Sequence, residues 1–439
     1  HVVKMPLQAS IFTCVIIPQA IGLTLFIKPY AKAAYGCFSA RLEMPLVSFK
    51  NNLITYKTKY SYAEQGEFDM ESAFYGDLSV IGMSGCDTFV SSVDNYLREW
   101  RNAGDHSYII QPECKRFGNG EAKCILHDSL RGHDIYIFAD MYNYGVKYRM
   151  YGHDYPMSPD DHFQDVKRVI NAVAGKARRI SIIMPMLYEG RQDKRHVRES
   201  LDCAVGLQEL VNMGVSNIIT FDVHNSGVQN AIPLSGFDSI QPTYQMLKAL
   251  VRTVPDIKLD SDNLMIISPD EGGMGRCLYY SSVLQLKLGM FYKRRDYTVV
   301  VSGKNPIVAH EYLGEDVEGK DVIIVDDIIS SGQSMLEVAT RLKQQGAKRV
   351  FMFATFGLFC EGLEQMDRAY EEGAFNKIFT TNLIYRTPEL LSREWFAEVN
   401  MCKYVSLIID TLNRDQSISH VLNPVERIQS LVEHMNQGK

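Results

Sequence analysis

Six short apolar runs recur along the chain: "DIYIFAD" (134–140), "RISIIMPM" (179–186), "NIITFDV" (217–223), "NLMIISPD" (263–270), "DVIIVDD" (321–327) and "RVFMFATF" (349–356). They are apolar nearly throughout rather than at alternate positions. A strand of that kind must be covered on both faces, which points to parallel sheets sandwiched between helices. Helical patterns fall between several of the runs. Val197, Leu201, Ala204 and Leu207 share one face of a helix over 197–213, and Met335, Val338, Ala339 and Leu342 share one over 333–345. A chain of 439 residues fits two such sheets better than one. The boundary falls near Pro242, where "SGFDSIQP" separates two strand–helix series. There is no low-complexity tract and no short-period repeat.

Open α/β sheets bind ligands beyond the carboxyl ends of their strands, so the polar residues after each run are the candidate site. In "VIIVDDIISSGQSM" (322–335), Asp326 and Asp327 end an apolar strand and suit vicinal sugar hydroxyls. The following Ser330, Ser331, Gly332, Gln333 and Ser334 suit a phosphate held by backbone N–H groups, hydroxyls and a helix N-terminus. A turn with an N-cap serine accounts for Ser334 but not for two adjacent carboxylates. In "MPMLYEGRQDKR" (184–195), Arg191, Gln192, Asp193, Lys194 and Arg195 follow a strand. Such cations and an amide suit a polyphosphate, and equally a solvated helix start. "TFDVHNSG" (220–227) places Asp222 and His224 on one side of a strand by alternation. Asp270 precedes the glycines of "ISPDEGGMGR", which allow close backbone approach to a ligand. Lys293 and Arg295 lie in the basic segment "MFYKRRDY" (290–297), and Phe117, Asn119 and Glu121 in "RFGNGEAK" (116–123), which reads otherwise as a polar hairpin tip.

Charge and cysteine usage narrow the classes. A net charge of -6 leaves no basic footprint for nucleic acid. Nine cysteines without a CxxC pair or zinc-like spacing read as reduced thiols, partly buried, in a reducing compartment, and a cytoplasmic location follows from that. The N-terminus reads differently. Lys4, the apolar stretch 10–27 and the small residues of "AKAAYG" resemble a secretory signal, interrupted by Pro18 and Gln19. Residues 1–75 are therefore an extension of uncertain status, with Met44 and Met70 as alternative starts. No membrane association is expected.

The order of these motifs resembles the ribose-phosphate diphosphokinase (PRPP synthetase) family, within the type I phosphoribosyltransferase superfamily. The paired aspartates and serine–glycine turn resemble the superfamily's phosphoribosyl-pyrophosphate loop. "Arg-Gln-Asp-Lys", the Lys-x-Arg of 293–295 and the loop of 117–121, which is similar to "Phe-x-Asp-Gly-Glu", carry the synthetase resemblance over roughly residues 80–435. It implies two tandem phosphoribosyltransferase-like domains, each a mainly parallel sheet flanked by helices: 76–241 on the ATP side and 242–439 on the ribose 5-phosphate side. The last helix is expected to pack back on the first domain. The implied reaction is ATP plus ribose 5-phosphate to PRPP and AMP, with Mg²⁺ at His224 and Asp270. The implied roles are Phe117, Asn119, Glu121, Arg191, Gln192 and Asp193 for ATP, 326–334 for ribose 5-phosphate, and Lys293 and Arg295 for catalysis. Homo-oligomers built from dimers, up to a hexamer, are implied as well.

Departures from the family pattern are Asn119 for Asp, Arg294 for Glu, Ser330 for Asp, and a longer aromatic segment within 141–178. The acidic residues that some members carry downstream of the His-containing strand are not evident in "QNAIPLSG". A phosphoribosyltransferase that consumes PRPP, and a non-catalytic regulatory relative, are the competing readings.

Overall fold

The computed structural model describes the backbone at residues 2–3, 12–18, 23–29, 74–195, 197–295 and 307–436, and side chains from residue 74 on, except at 293–295, 307–310 and 436. Two compact units divide the chain, residues 1–68 and 69–439. In the first, β1 (Val2–Val3), β2 (Phe12–Pro18) and β3 (Leu23–Pro29) form an antiparallel sheet, so the apolar stretch of the extension is a β-hairpin.

The second unit holds two parallel sheets. In the first sheet the strand order is β12-β11-β10-β7-β4, all parallel: β4 (Asp77–Gly82), β7 (His133–Phe138), β10 (Arg179–Ile183), β11 (Asn217–Phe221) and β12 (Gly236–Ile240). The second sheet runs β15-β14-β13-β16-β17-β18-β19. Its strands are β13 (Leu264–Ser268), β14 (Lys287–Arg295), β15 (Ile307–Leu313), β16 (Asp321–Ile329), β17 (Arg349–Gly357), β18 (Lys377–Thr381) and β19 (Phe396–Val399). Only β15 runs antiparallel in it, at the edge. Two hairpins stand outside the sheets, β5–β6 (Glu113–Arg116, Ala122–Ile125) and β8–β9 (Lys147–Met150, His153–Pro156).

Strand alternation explains the layers. Tyr136 and Phe138 of β7 join a core shared with Leu264 and Ile266 of β13, whereas Ile135 and Ile137 face the other side. That shared core is filled by α1 (Asp87–Trp100), α4 (Thr243–Thr253), α5 (Met274–Leu284), α9 (Cys402–Asn413) and α11 (Val425–Asn436). The outer face of the first sheet is covered by α2 (Pro159–Val173) and α3 (Asp202–Asn212). The second sheet's outer face carries α6 (Gln333–Gln344), α7 (Glu364–Glu371) and α8 (Pro388–Leu391). A short α10 (Ser419–Leu422) precedes α11. Among the described residues no helix is long and apolar enough to cross a membrane.

Two elements depart from the sequence reading. Helix α3 starts at Asp202, not 197, because Val197 is exposed and the residues after Arg191 form a loop. Strand β16 runs two residues past the aspartates, pairing Ile328 and Ile329 with Phe356 and Gly357.

Buried polar ties hold α9 against the first sheet. Arg179 reaches Asp134 (2.6 Å) and the Leu412 carbonyl (2.7 Å), and Asn413 donates to Asp134 (2.9 Å). The cysteines also depart from expectation: Cys114 and Cys124 pair as a disulfide across the β5–β6 hairpin. Facing positions in an antiparallel pair bring two side chains together although ten residues separate them in sequence. Cys86, Cys203, Cys277, Cys360 and Cys402 are free thiols.

Candidate active site

Strand β13 has β14 on one side and β16 on the other, so the order of the second sheet reverses there. A doubly wound sheet opens a crevice at such a point, beyond the carboxyl ends of the two diverging strands. Asp270 follows β13, and Asp326 and Asp327 lie near the end of β16. The carboxyl ends of β10 and β11 in the first sheet supply the opposite wall. Arg191, Asp222, His224, Asp327, Ile328 and Phe356 are among the residues that line this cleft.

One guanidinium organises it. Arg276, in the first turns of α5, is largely buried and binds both oxygens of Asp222 through Nε (2.8 and 2.9 Å). Its other nitrogens lie 3.6 Å from Asp326 and 3.8 Å from Asp327. Burial opposes the charge on Arg276, but Asp222 and Asp327 outweigh it and raise its pKa. Asp222 also accepts from Thr355 Oγ1 on β17 (2.5 Å). Its φ of 40° is left-handed, so β11 ends at Phe221 and strand alternation does not place Asp222. The neighbouring His224 nonetheless lines the same cleft.

The two adjacent aspartates differ in charge. Burial, followed by the charge of Asp327, pushes Asp326 up to about 8. Burial works against Asp327 as well, but the His224 hydrogen bond and Arg276 hold it down at about 2. Like charges this close do not both ionise easily, which works against charge on Asp326 while His224 and Arg276 favour it on Asp327. The Asp327 N–H donates to Asp326 Oδ1 (2.9 Å), while the β16–β17 register runs through the pair without a shift.

His224 Nδ1 sits 2.7 Å from Asp327 Oδ2, and this hydrogen bond raises its pKa. With Nδ1 engaged by a carboxylate, Nε2 is the nitrogen left for a ligand, the arrangement usual for a metal-binding histidine. Asp270 Oδ1 accepts from the backbone N–H groups of Gly272 and Gly273 (2.9 and 3.1 Å), which holds the carboxylate at the start of α5. An imidazole and a carboxylate are donor types that a hard cation keeping several waters would take, although Asp270 is not among the residues that line the cleft with His224. Among the described residues the only cluster of three metal-type ligands is Cys114, Cys124 and Asp165, whose sulfurs are spent in the disulfide.

The serine–glycine turn expected to hold a phosphate is shorter than its sequence suggests. Helix α6 begins at Gln333, so Gln333 and Ser334 are its first turn and the loop is Ser330, Ser331 and Gly332. Gly332 has φ 87°, and a Cβ there would collide with Met366 Cε. The left-handed backbone is what requires glycine, since the tip of the Met366 side chain can move aside. Gln333 reaches along the helix to Glu337 (3.2 Å), and its N–H lies 3.4 Å from Ser331 Oγ.

On the other wall, Arg191 and Gln192 are exposed, while Asp193 is nearly buried and accepts from Asn225 Nδ2. Asp193 thus ties the Arg191 loop to the β11 loop. Lys293 and Arg295 belong to β14, where Lys293 pairs in register with His310. Their side chains lie outside the described residues.

The tip of the β5–β6 hairpin presents Phe117, about half exposed, with Lys123 over its ring at 5.9 Å. Asn119 is engaged inside the tip: it donates to Glu121 Oε2 (3.0 Å) and accepts from the Glu121 N–H (3.1 Å).

Sequence reasoning missed Arg276 and Thr355. A threonine inside the apolar run "FMFATF" was a usable signal, since a buried hydroxyl needs a partner. Arg276 carried none, because an arginine early in a helix is commonplace.

Comparison with known proteins agrees with this architecture. Residues 78–214 match the family model for the N-terminal domain of ribose phosphate pyrophosphokinase, and 238–368 match the phosphoribosyl transferase domain. A ribose-phosphate pyrophosphokinase of Mycoplasma pneumoniae is 30% identical over 275 residues, 62% of this chain and 75% of that protein. One from Vibrio parahaemolyticus is 26% identical over 313 residues, 70% of this chain and 90% of that protein. The crystal structure of phosphoribosylpyrophosphate synthetase from Mycobacterium smegmatis shares the fold, with a TM-score of 0.62 at 20% identity over 77% of this chain and 99% of that one. On these grounds the chain belongs to the ribose-phosphate pyrophosphokinase family.

Proposed function

We propose that the chain transfers the β,γ-diphosphoryl group of ATP to the C1 hydroxyl of ribose 5-phosphate, giving PRPP and AMP. The observation that supports this best is the single cleft in which Arg191 and His224 of one sheet face Asp327 of the other. It offers a cation for a polyphosphate opposite an acidic pair for a sugar.

In this reading Asp326 and Asp327 accept from the ribose hydroxyls. Ser330, Ser331 and Gly332, with the first N–H groups of α6, hold the 5-phosphate, and Gln333 and Ser334 close that end. Arg191 and Gln192 grip the triphosphate, and Asp193 keeps their loop in place through Asn225. Phe117 stacks on the base, with Glu121, oriented by Asn119, accepting from an exocyclic amine. His224 Nε2 and Asp270 hold Mg²⁺, which supplies charge neutralisation at the phosphates when bound. The chemistry is chiefly positioning: the C1 oxygen attacks Pβ in line with the leaving α-phosphate oxygen, and Lys293 and Arg295 stabilise the charge shed onto AMP. The proposal includes an assembly of copies built from dimers.

The test is to mix the protein with ATP, ribose 5-phosphate and Mg²⁺ and to measure AMP and PRPP. Wild type should form both in equal amounts, and Lys293→Ala should lose about two to three decades of turnover with its fold intact. Consumption of PRPP with a free base would identify a phosphoribosyltransferase. Nucleotide binding without turnover would identify a regulatory relative.

A further inference from the structure

The longer aromatic segment of the sequence folds as the β8–β9 hairpin, and that hairpin leans on the β5–β6 hairpin. The Tyr151 N–H donates to the Gly118 carbonyl (2.9 Å). Met150 Sδ occupies the space where a Cβ on Gly120 would be, 2.6 Å away, and Gly120 has φ 93°. The Arg116 guanidinium lies 5.1 Å over the Tyr148 ring while pairing with Asp165 of α2 (2.8 Å). The Phe117–Glu121 tip is therefore braced by an element that the motif pattern does not require.

The turn of that hairpin is unusual. Met150 pairs with His153, so Tyr151 and Gly152 form a two-residue turn, both with positive φ (45° and 83°). Asn-Gly or Gly-Gly is the ordinary choice there, because a bulky side chain in the left-handed region is strained. Tyr151 is nonetheless 75% exposed, and its side chain makes no ring contact or hydrogen bond among the described residues. Folding gains nothing visible from this ring. A strained residue whose side chain serves no internal contact points to a ligand.

We infer that Tyr151 is a second aromatic binding surface for the nucleotide base taken by Phe117, and that the β8–β9 hairpin is the part of this chain that positions it. This rests on the reading of the 117–121 loop as the nucleotide loop. The Tyr151 N–H to Gly118 hydrogen bond joins the two turns, which places Tyr151 beside the residue that follows Phe117. Stacking on aromatic faces tolerates different bases and strengthens with ring area. It also supplies affinity that an Asn119 already committed to Glu121 does not.

The experiment compares Tyr151→Asn, Tyr151→Phe and wild type by calorimetry with ADP and by steady-state kinetics. Asn is the ordinary residue for this turn, so Tyr151→Asn removes the ring while easing the backbone, and its thermal midpoint should not fall. Tyr151→Asn should weaken ADP about tenfold and raise the ATP KM similarly, with kcat and the ribose 5-phosphate KM unchanged. Tyr151→Phe should stay within about twofold of wild type. An ADP affinity within about twofold of wild type in Tyr151→Asn would overturn the inference. That holds also if the variant's assembly mass fell, which would assign the ring to a subunit contact. Wild type that binds ADP but forms no PRPP would refute the reaction, and the ADP affinities would still decide the role of Tyr151.

Discussion

Nδ1 of His224, just past the end of a strand in the first sheet, is hydrogen-bonded to Oδ2 of Asp327 on a strand of the second, at 2.7 Å across 103 positions of sequence. The two halves of the cleft thus meet through a hydrogen bond that also fixes which imidazole nitrogen faces a ligand. Asp327→Asn keeps an acceptor for Nδ1 but removes the charge behind it. Loss of a carboxylate partner typically weakens a histidine–metal bond about 10- to 100-fold. The Mg²⁺ concentration for half-maximal AMP formation should rise by that factor. An unchanged Mg²⁺ requirement would remove His224 from the metal site.

Arg276 is hydrogen-bonded to Asp222 and lies within 4 Å of Asp326 and Asp327. Arg276→Met should destabilise by about 3–5 kcal/mol, because Asp222 is left charged and buried. Adding Asp222→Asn should recover part of that loss, since an amide tolerates burial beside Thr355 better than a carboxylate. Urea unfolding of the two single variants and the double variant measures the coupling.

Gly332 is constrained by its φ of 87°, with the tip of Met366 in the space a Cβ would take. Gly332→Ala should raise the ribose 5-phosphate KM at least about tenfold, as the loop shifts away from the α6 N-terminus. Adding Met366→Ala should lower thermal stability further, because the Met366 tip can move aside on its own while truncating this fully buried side chain leaves a cavity. It should leave the KM high, because the left-handed backbone still disfavours a Cβ.

Asp140, just past β7, accepts from the N–H groups of Tyr142 (3.0 Å) and Tyr385 (2.6 Å), the latter in the segment that follows the second sheet's β18. Burial raises its pKa from 3.8 to about 6. The folded state then holds a proton that the unfolded state has released between these values, so stability falls as pH rises from about 4 to 6 and is level above. The contribution is on the order of 2–3 kcal/mol. Asp140→Asn has no proton to lose, so its unfolding free energy should lack this slope, at the cost of one hydrogen bond. Denaturation midpoints measured from pH 4 to 8 would show an unaltered slope if Asp140 were not the titrating group.

Much of the fold was legible because burial on both faces leaves a plain mark. The six apolar runs correspond to β7, β10, β11, β13, β16 and β17. The edge strands β15 and β19, the strand β14 beside β15, and the two small hairpins are mixed in polarity and left no such mark. Carboxyl-end residues were legible for the same reason as the strands. Asp327, His224 and Arg191 each follow an apolar run and meet in one cleft. Asp193 looked like its neighbours in sequence, yet Arg191, Gln192, Lys194 and Arg195 are exposed while Asp193 is not, since Asn225 from another loop takes its carboxylate.

By itself, the sequence determined the strand–helix alternation, the acidic pair, the serine–glycine turn and the order of the motifs, because these rest on residue type and short-range period. Tertiary structure alone decided which groups share a charge. Arg276 reaches Asp222 across 54 positions, Thr355 reaches it across 133, and Cys114 finds Cys124 only once the hairpin closes. Ionisation depends on distance and burial at a few ångströms, which chain order does not encode. For that reason the opposite shifts of Asp326 and Asp327, the nitrogen that His224 offers and the exposed ring of Tyr151 emerged only from the packed molecule.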